Sequence, residues 1–264
     1  MIKDITIGQY LPGDSVVHRL DPRIKIILST IYVIDLFLIN SFLGYLYVAI
    51  FTALVILISK IPFKYIFKSL KPILWILIFT GVLNAFLTPG NVVAKVGPFS
   101  VTDKGLYLAA FMVIRIIFLI VGTSVLTLTT SPIALTDGIE LLLNPFKKIG
   151  VPAHELAMMM TIALRFIPTL IDETDKIIKA QKARGADFES GNIINRAKNL
   201  IPILVPLFIN SFRRADELAL AMEARCYRGG EGRTRMKQFN INKNDYLALT
   251  VMLLFVVISI LSRR

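Results

Sequence analysis

From Ile24 to Ser59 the chain carries only two charged side chains, Lys25 and Asp35. That run is far longer than any strand or core helix of a water-soluble domain. About 20 residues cross the hydrocarbon of a bilayer, so the stretch reads as two spans parted near Asn40 and Ser41. A third candidate runs from Pro72 to Thr88, a fourth from Gly105 to Leu128, and a fifth from Tyr246 to Leu261. The composition agrees: 55% of residues are hydrophobic and only 18% are charged, an excess that points to the bilayer as solvent. The polar first twenty residues, with Pro12, Gly13 and Asp14, do not read as a cleavable signal peptide. The segment between spans three and four contains Pro89, Gly90, Gly97 and Pro98, a turn signature.

The formal net charge of +12 is read first as topology, because Lys and Arg collect on the cytoplasmic side. Lys60, Lys64, Lys68 and Lys71 fall between spans two and three with no acid among them, whereas Pro89 to Lys104 offers two lysines against Asp103. The lysine-rich side is therefore expected to be cytoplasmic, together with the N-terminus beside Arg19, Arg23 and Lys25. Arg263 and Arg264 would then lie outside, a mild exception. A nucleic-acid role is disfavoured, since no aromatic-rich basic motif accompanies the charge. One cysteine, Cys226, excludes an internal disulfide, and two distant histidines, His18 and His154, make no metal cluster.

The expected organisation is an all-α membrane protein with about five spans. Residues 1–23 form a cytoplasmic N-terminal segment, 24–128 a membrane part with spans one to four, and 245–264 the fifth span and C-terminus. Residues 129–244 differ in character, with charge interleaved among apolar faces in three helical pieces, two of them long and crossing. The first begins at Ser131 as N-cap with Pro132 in the first turn and ends near Gly150. The second runs from Pro152 towards Arg184, the third from about Asn192 to Arg225. Val151 to Ile171 is apolar, but it carries His154, Glu155 and Arg165. A crossing there would put Lys176, Lys179, Lys182 and Arg184 outside, so both long helices are expected at or below the inner interface. Their N-terminal halves would press on the membrane part, and their C-terminal halves would reach into water.

The two long pieces end alike. Aligning Arg184 with Arg225 also matches Asp175 with Asp216, Ala180 with Ala221 and Ala183 with Ala224. Upstream, Pro168 in one and Pro202 and Pro206 in the other are expected to bend the helices. An arginine at a helix C-terminus can simply complement the dipole, worth about 0.3–1 kcal/mol, with Gly185 as an ordinary stop. Its recurrence at the tips of two overlong helices favours docking instead. The small neighbours let a partner approach closely, and each guanidinium offers five donors to carboxylates or carbonyls. A pair of such tips suits a partner that is itself a pair.

Three stretches, "GQYLPGDSVVHRLDPRIK", "HELAMMMTIALRFIPTLIDETDKIIKAQKARGADF" and "ADELALAMEARCYRGG", make the chain resemble the transmembrane T component of energy-coupling factor transporters, which import vitamins and metal ions in prokaryotes. The resemblance covers essentially the whole chain. It implies that Ala183-Arg184-Gly185 and Ala224-Arg225-Cys226 sit in grooves of two ATPase subunits, identical or related. Cys226 stands where a glycine is common. It also implies a separate membrane S component that carries the substrate, and ATP and Mg bound by the ATPase subunits, with no cofactor in this chain.

The residues also bear on chemistry by what they lack. There is no G-x-x-x-x-G-K-[ST] phosphate loop, and Gly229 to Thr234 has neither its spacing nor its lysine, reading instead as a turn. No acid, base or metal-ligand constellation is evident, so no catalytic and no metal-ligating residue is assigned. Asp35 and Arg115, both within spans, read as a substrate or proton path, as a buried pair, or with Asp35 reaching the outer headgroups. Asn84 is expected to bond a neighbouring helix, and Gly122, Thr123 and Ser124 to mark close helix contacts. Met158, Met159 and Met160 read equally as core or as a surface that repacks against changing partners. With Leu164 and Pro168 they form the candidate S-component contact. The rivals are a self-sufficient secondary transporter with its own midplane site, an integral membrane enzyme, and a membrane scaffold without transport.

Overall fold

The computed structural model describes residues 10–96, 99–188, 192–230 and 239–261. Gly97 and Pro98 of the expected turn, Glu231 to Thr234 of the glycine-rich run, and Arg263 and Arg264 lie outside the described residues. In chain order the helices are α1 (Val16–Arg19), α2 (Pro22–Leu38), α3 (Phe42–Ser59), α4 (Phe63–Leu70), α5 (Leu74–Leu87), α6 (Asp103–Thr129), α7 (Pro132–Leu143), α8 (Ala153–Ala183), α9 (Ile193–Asn199), α10 (Ile201–Ala224) and α11 (Lys243–Leu261). Between α5 and α6 a short antiparallel hairpin, β1 (Val92–Val96) and β2 (Phe99–Thr102), occupies what sequence reading took for a plain turn segment. Two compact units emerge. One holds Gly8–Gly138 together with the chain from Lys237 onward, the other the helices between Ile139 and Met236.

Helix boundaries in the larger unit follow local chemistry. Asp21 caps α2 by accepting from the Arg23 N–H at 2.9 Å, with Pro22 in the first turn. Ser41 caps α3 by accepting from Gly44 N at 3.2 Å, which explains the break at Asn40 and Ser41. Thr102 caps α6 the same way, through Gly105 N at 3.0 Å. Among the described residues, five helices are long and apolar enough to cross a membrane: α3, the α4–α5 stretch Phe63–Leu87, α6, α8 and α11. The first expected span, α2, falls just short at 17 residues. By length and composition α8 qualifies, although its charges argued for placing it outside the bilayer.

The core of this unit is formed by α2, α3, α6 and α11. Tyr32, Leu36, Ile39, Tyr45, Val48, Phe111, Met252 and Phe255 make one cluster. A second, with Ile56, Ile61, Ile66, Val121, Val125 and Leu128, joins α3, α4 and α6. Lipid tails are as apolar as these side chains, so burial alone drives association weakly and close packing with polar fastening must do it. Aromatic contacts are accordingly frequent: Tyr45 meets Phe111 edge-on at 4.9 Å, and Phe51 stacks on Phe255 at 4.2 Å. Gly122 lets α6 lie directly on the Tyr32 ring, where a Cβ would overlap it. Tyr32 and Thr52 share a hydroxyl hydrogen bond of 2.9 Å.

The intramembrane charges do not pair with each other. Arg115 donates to the Tyr45 hydroxyl at 2.9 Å and the Ile39 carbonyl at 3.0 Å, and lies over the Phe111 ring at 4.9 Å. Asp35 is buried at 1% exposure and, among the described residues, makes no hydrogen bond of normal geometry. It therefore reaches no headgroup, and the expectation of a buried Asp35–Arg115 pair is corrected: the Arg115 donors are taken by α3 and by the end of α2. Asn84 bonds the Thr80 carbonyl of its own helix at 2.9 Å, not a neighbour.

At one end of the bundle, helix termini are tied together by buried side chains. Asp245, 1% exposed, accepts from Asp21 N at 2.8 Å and Asn242 N at 2.7 Å, so one carboxylate joins the starts of α2 and α11. Lys25 donates to the His18 and Thr129 carbonyls, each at 3.0 Å, joining the ends of α1 and α6. Arg23 forks onto Asp21 and reaches the Phe239 carbonyl at 3.1 Å. Burial raises the Asp21 pKa, but the hydrogen bonds and charge of Arg23, with the charge of Lys25, hold it below the ordinary carboxylate value.

Replacing Asp245 by Ala strands the buried Asp21 N–H and uncaps Asn242, and thermal unfolding of the solubilised chain is expected to show a loss of about 1–3 kcal/mol. Asp21→Asn keeps a capping side chain but removes the charge. Because the folded-state pKa of Asp21 is lowered, its stabilisation is fully present above about pH 4 and lost as pH falls through the lowered value. The Asn variant is expected to melt below the parent at neutral pH, with the gap closing under acid conditions.

Candidate functional site

The smaller unit is built on α8 and α10. Ser131 begins its approach as expected, accepting from Ala134 N at 3.3 Å, and α7 passes through a 3-10 turn, Asn144–Ile149, to Gly150 in the left-handed conformation. α8 then runs 31 residues with Pro168 inside it. The third piece is not continuous from Asn192: it breaks at Leu200 into α9 and α10. The cause is Pro202, which has no N–H to donate to the Lys198 carbonyl and whose ring would clash with it if the helix continued. It therefore sits in the first turn of α10, and only Pro206 lies inside.

The long helices run antiparallel. Glu173 of α8 pairs with Arg214 of α10 near their middles. Gln181 reaches the Pro202 carbonyl at 3.4 Å, and His154 at the start of α8 meets Tyr227 just past the end of α10 at 3.2 Å. The apolar half of each helix therefore lies beside the charged half of the other. Direction was not legible from two similar segments. The two arginines consequently stand at opposite ends of the pair, separated by about the length of α8, roughly 45 Å at 1.5 Å per residue.

Both tips are the same structure. At the end of α8, Arg184 is the C-cap, Gly185 has φ +88°, Gly185 N bonds the Lys182 carbonyl at 3.0 Å and Ala186 N the Gln181 carbonyl at 3.0 Å. At the end of α10, Arg225 is the C-cap, Cys226 has φ +55°, Cys226 N bonds Glu223 O at 2.8 Å and Tyr227 N bonds Met222 O at 3.0 Å. Each is a Schellman stop, in which a left-handed residue after the cap closes two backbone bonds onto the last turn. The small residue following each arginine is thus dictated first by backbone geometry. Ala183, Arg184 and Gly185, and likewise Ala224, Arg225 and Cys226, are exposed. Among the described residues neither guanidinium has a hydrogen-bond or ion-pair partner.

The remaining sequence candidates lie on α8. Met159 and Met160 are 55% and 41% exposed and Pro168 is exposed, while Met158 and Leu164 are half-buried. Met159 and Met160 are therefore on the surface of this unit. α10 adds Leu204, Val205, Phe208, Ile209 and Phe212 as exposed apolar side chains. Sequence reading also missed His154 as part of a cluster, because its partners Glu140 and Tyr227 are distant in the chain. Among the described residues, no three His, Cys, Asp or Glu side chains gather closely enough to hold a metal.

Cys226 occupies a left-handed position that favours glycine. Cys226→Gly is expected to tighten the α10 terminus and slow amide exchange at Cys226 and Tyr227. Cys226→Val, β-branched at positive φ, is expected to fray it, with a cost of about 1–2 kcal/mol.

Residues 13–236 match the family described as CbiQ, a cobalt transport protein. The chain is 65% identical over 265 residues to the energy-coupling factor transporter transmembrane protein EcfT of Clostridium kluyveri, covering 100% of this chain and 98% of that one. It is 60% identical over 262 residues to that of Thermosediminibacter oceani, covering 99% of each. Against that of Bacillus subtilis it is 51% identical over 239 residues, 90% of each. The chain belongs to the EcfT family of energy-coupling factor transporter transmembrane proteins, as its arginine-ended helices and N-terminal segment led the sequence reading to expect.

Proposed function

We propose that this chain couples the ATP-driven motion of a pair of ATPase subunits to a membrane S component that carries a vitamin or other micronutrient, as in an ABC-type importer. The observation that carries this reading is the matched pair of exposed, unpartnered C-cap arginines at opposite ends of one antiparallel helix pair. Two such points address two subunits side by side. Ala183-Arg184-Gly185 enters a groove of one ATPase subunit and Ala224-Arg225-Cys226 the equivalent groove of the other, each guanidinium meeting carboxylates or carbonyls there.

The chain itself hydrolyses nothing. ATP and Mg belong to the ATPase subunits, and this chain needs no cofactor of its own. When those subunits close, they draw the two tips towards each other, and α8 and α10 rotate about their contact at Glu173 and Arg214. The apolar halves turn with them. Met158, Met159, Met160, Leu164 and Pro168 on α8, with Phe208 and Phe212 on α10, form the surface on which the S component rests and tilts. Exposed thioethers suit a surface that must accept more than one fit.

In this reading residues 129–244 and the N-terminus face the cytoplasm, since the lysines at 60, 64, 68 and 71 mark that side. α8 then lies at the interface despite its apolar half. Its charged half and its ion pair with α10 are costly to place in hydrocarbon.

Arg184→Glu and Arg225→Glu are each expected to lower co-purification of the ATPase subunits and substrate uptake at least tenfold, and together to abolish both. Each loses a charge-assisted contact and gains a repulsion. Normal uptake by the double variant would sink the proposal.

A further inference from the structure

The end of α10 is held by a cluster that the coupling reading does not use. His154, in the first turn of α8, places Nδ1 3.0 Å from Glu140 Oε1 of α7 and Nε2 3.2 Å from the Tyr227 hydroxyl. An ionised carboxylate only accepts, so in the neutral ring the proton sits on Nδ1 and Nε2 accepts from Tyr227. Gly229, at φ +86°, turns the chain so that Gly230 lies against the same ring, where a Cβ would come within 2.6 Å of His154 Cδ2.

Tyr227 is also the residue whose N–H closes the Schellman stop onto Met222. Its backbone is therefore rigid with respect to α10, while its hydroxyl is rigid with respect to α8. Arg225 lies two residues away. The backbone that carries Arg225 is therefore tied to three elements at once: α7 through Glu140, α8 through His154 and α10 through its own last turn. At the other tip the tie is different in kind. Asn199, just before α10, donates to the Asp187 carbonyl at 2.7 Å, three residues beyond Arg184.

We infer that His154, oriented by Glu140 and bonded to Tyr227, is the positioning residue that aims Arg225 at its partner. The cluster pre-organises one tip, so that docking does not have to freeze the end of α10. This inference rests on the docking reading above. The tips are not equivalent in this respect: disturbing His154 disorders the Arg225 tip and leaves the Arg184 tip as it was.

Cys226, the one cysteine in the sequence, allows a direct test. A nitroxide attached to it, in the full chain in lipid nanodiscs, reports the order of this tip by electron paramagnetic resonance. The other tip is read from Ala183→Cys in a Cys226→Ser background. Tyr227→Phe and His154→Ala are expected to mobilise the label at 226 and leave that at 183 unchanged, the latter also showing that the variants fold. Affinity for the ATPase pair purified with this chain is expected to fall about fivefold for Tyr227→Phe, the effect of one hydrogen bond. Combining Tyr227→Phe with His154→Ala adds little, because one contact is lost twice. An unchanged label at 226, or equal loosening at both tips, overturns the positioning role. A mobilised label with undiminished affinity, while Arg225→Ala weakens binding, overturns the link to docking alone. If Arg225→Ala itself leaves affinity unchanged, the docking reading fails and this use of the cluster fails with it.

Discussion

Every helix ends with backbone groups that its own ladder cannot pair, and in a largely apolar chain there is little water to take them up. That constraint organises both units. In the larger one, the Asp245 carboxylate takes an N–H from the start of α2 and another from the start of α11, while the Lys25 ammonium takes the last carbonyls of α1 and α6. Four helix ends are closed by two side chains. In the smaller unit the carbonyls at the ends of α8 and α10 are closed by left-handed turns. The arginines are the residues those turns leave projecting.

Seen this way, the bland and the functional accounts of the small-arginine-small endings stop competing. Gly185 and Cys226 are small because the residue after the cap must take positive φ. Arg184 and Arg225 are exposed because a C-cap side chain at such a stop has nowhere to pack. One local geometry both terminates the helix and presents the cation. The two cations are separated by the length of an antiparallel helix, and the helices that carry them meet near their middles at Glu173 and Arg214. The chain belongs to the EcfT family, and its sequence carries no G-x-x-x-x-G-K-[ST] phosphate loop.

Several readings failed for identifiable reasons. Asp35 and Arg115 were both charged and both intramembrane, yet pairing depends on which helix faces which, and Arg115 turns to Tyr45 and the Ile39 carbonyl. Asn84 bonds the Thr80 carbonyl one turn back on its own helix, an acceptor that helical geometry itself supplies. The break at Leu200 was available from Pro202 but was overridden by the apparent continuity of the pattern. Hairpin β1–β2 was hidden because its strands are short and flank a segment already explained as a turn.

The sequence by itself determined the membrane class, the positions of the apolar helices, the break at Asn40 and Ser41, the cap at Ser131, and the existence of two alike arginine ends, since hydrophobic length and capping chemistry are local properties. Only the tertiary structure decided that α8 and α10 run antiparallel, that their tips lie far apart, and that Glu140, His154 and Tyr227 meet. Those facts depend on contacts between residues distant in the chain, and no periodicity or local propensity records them.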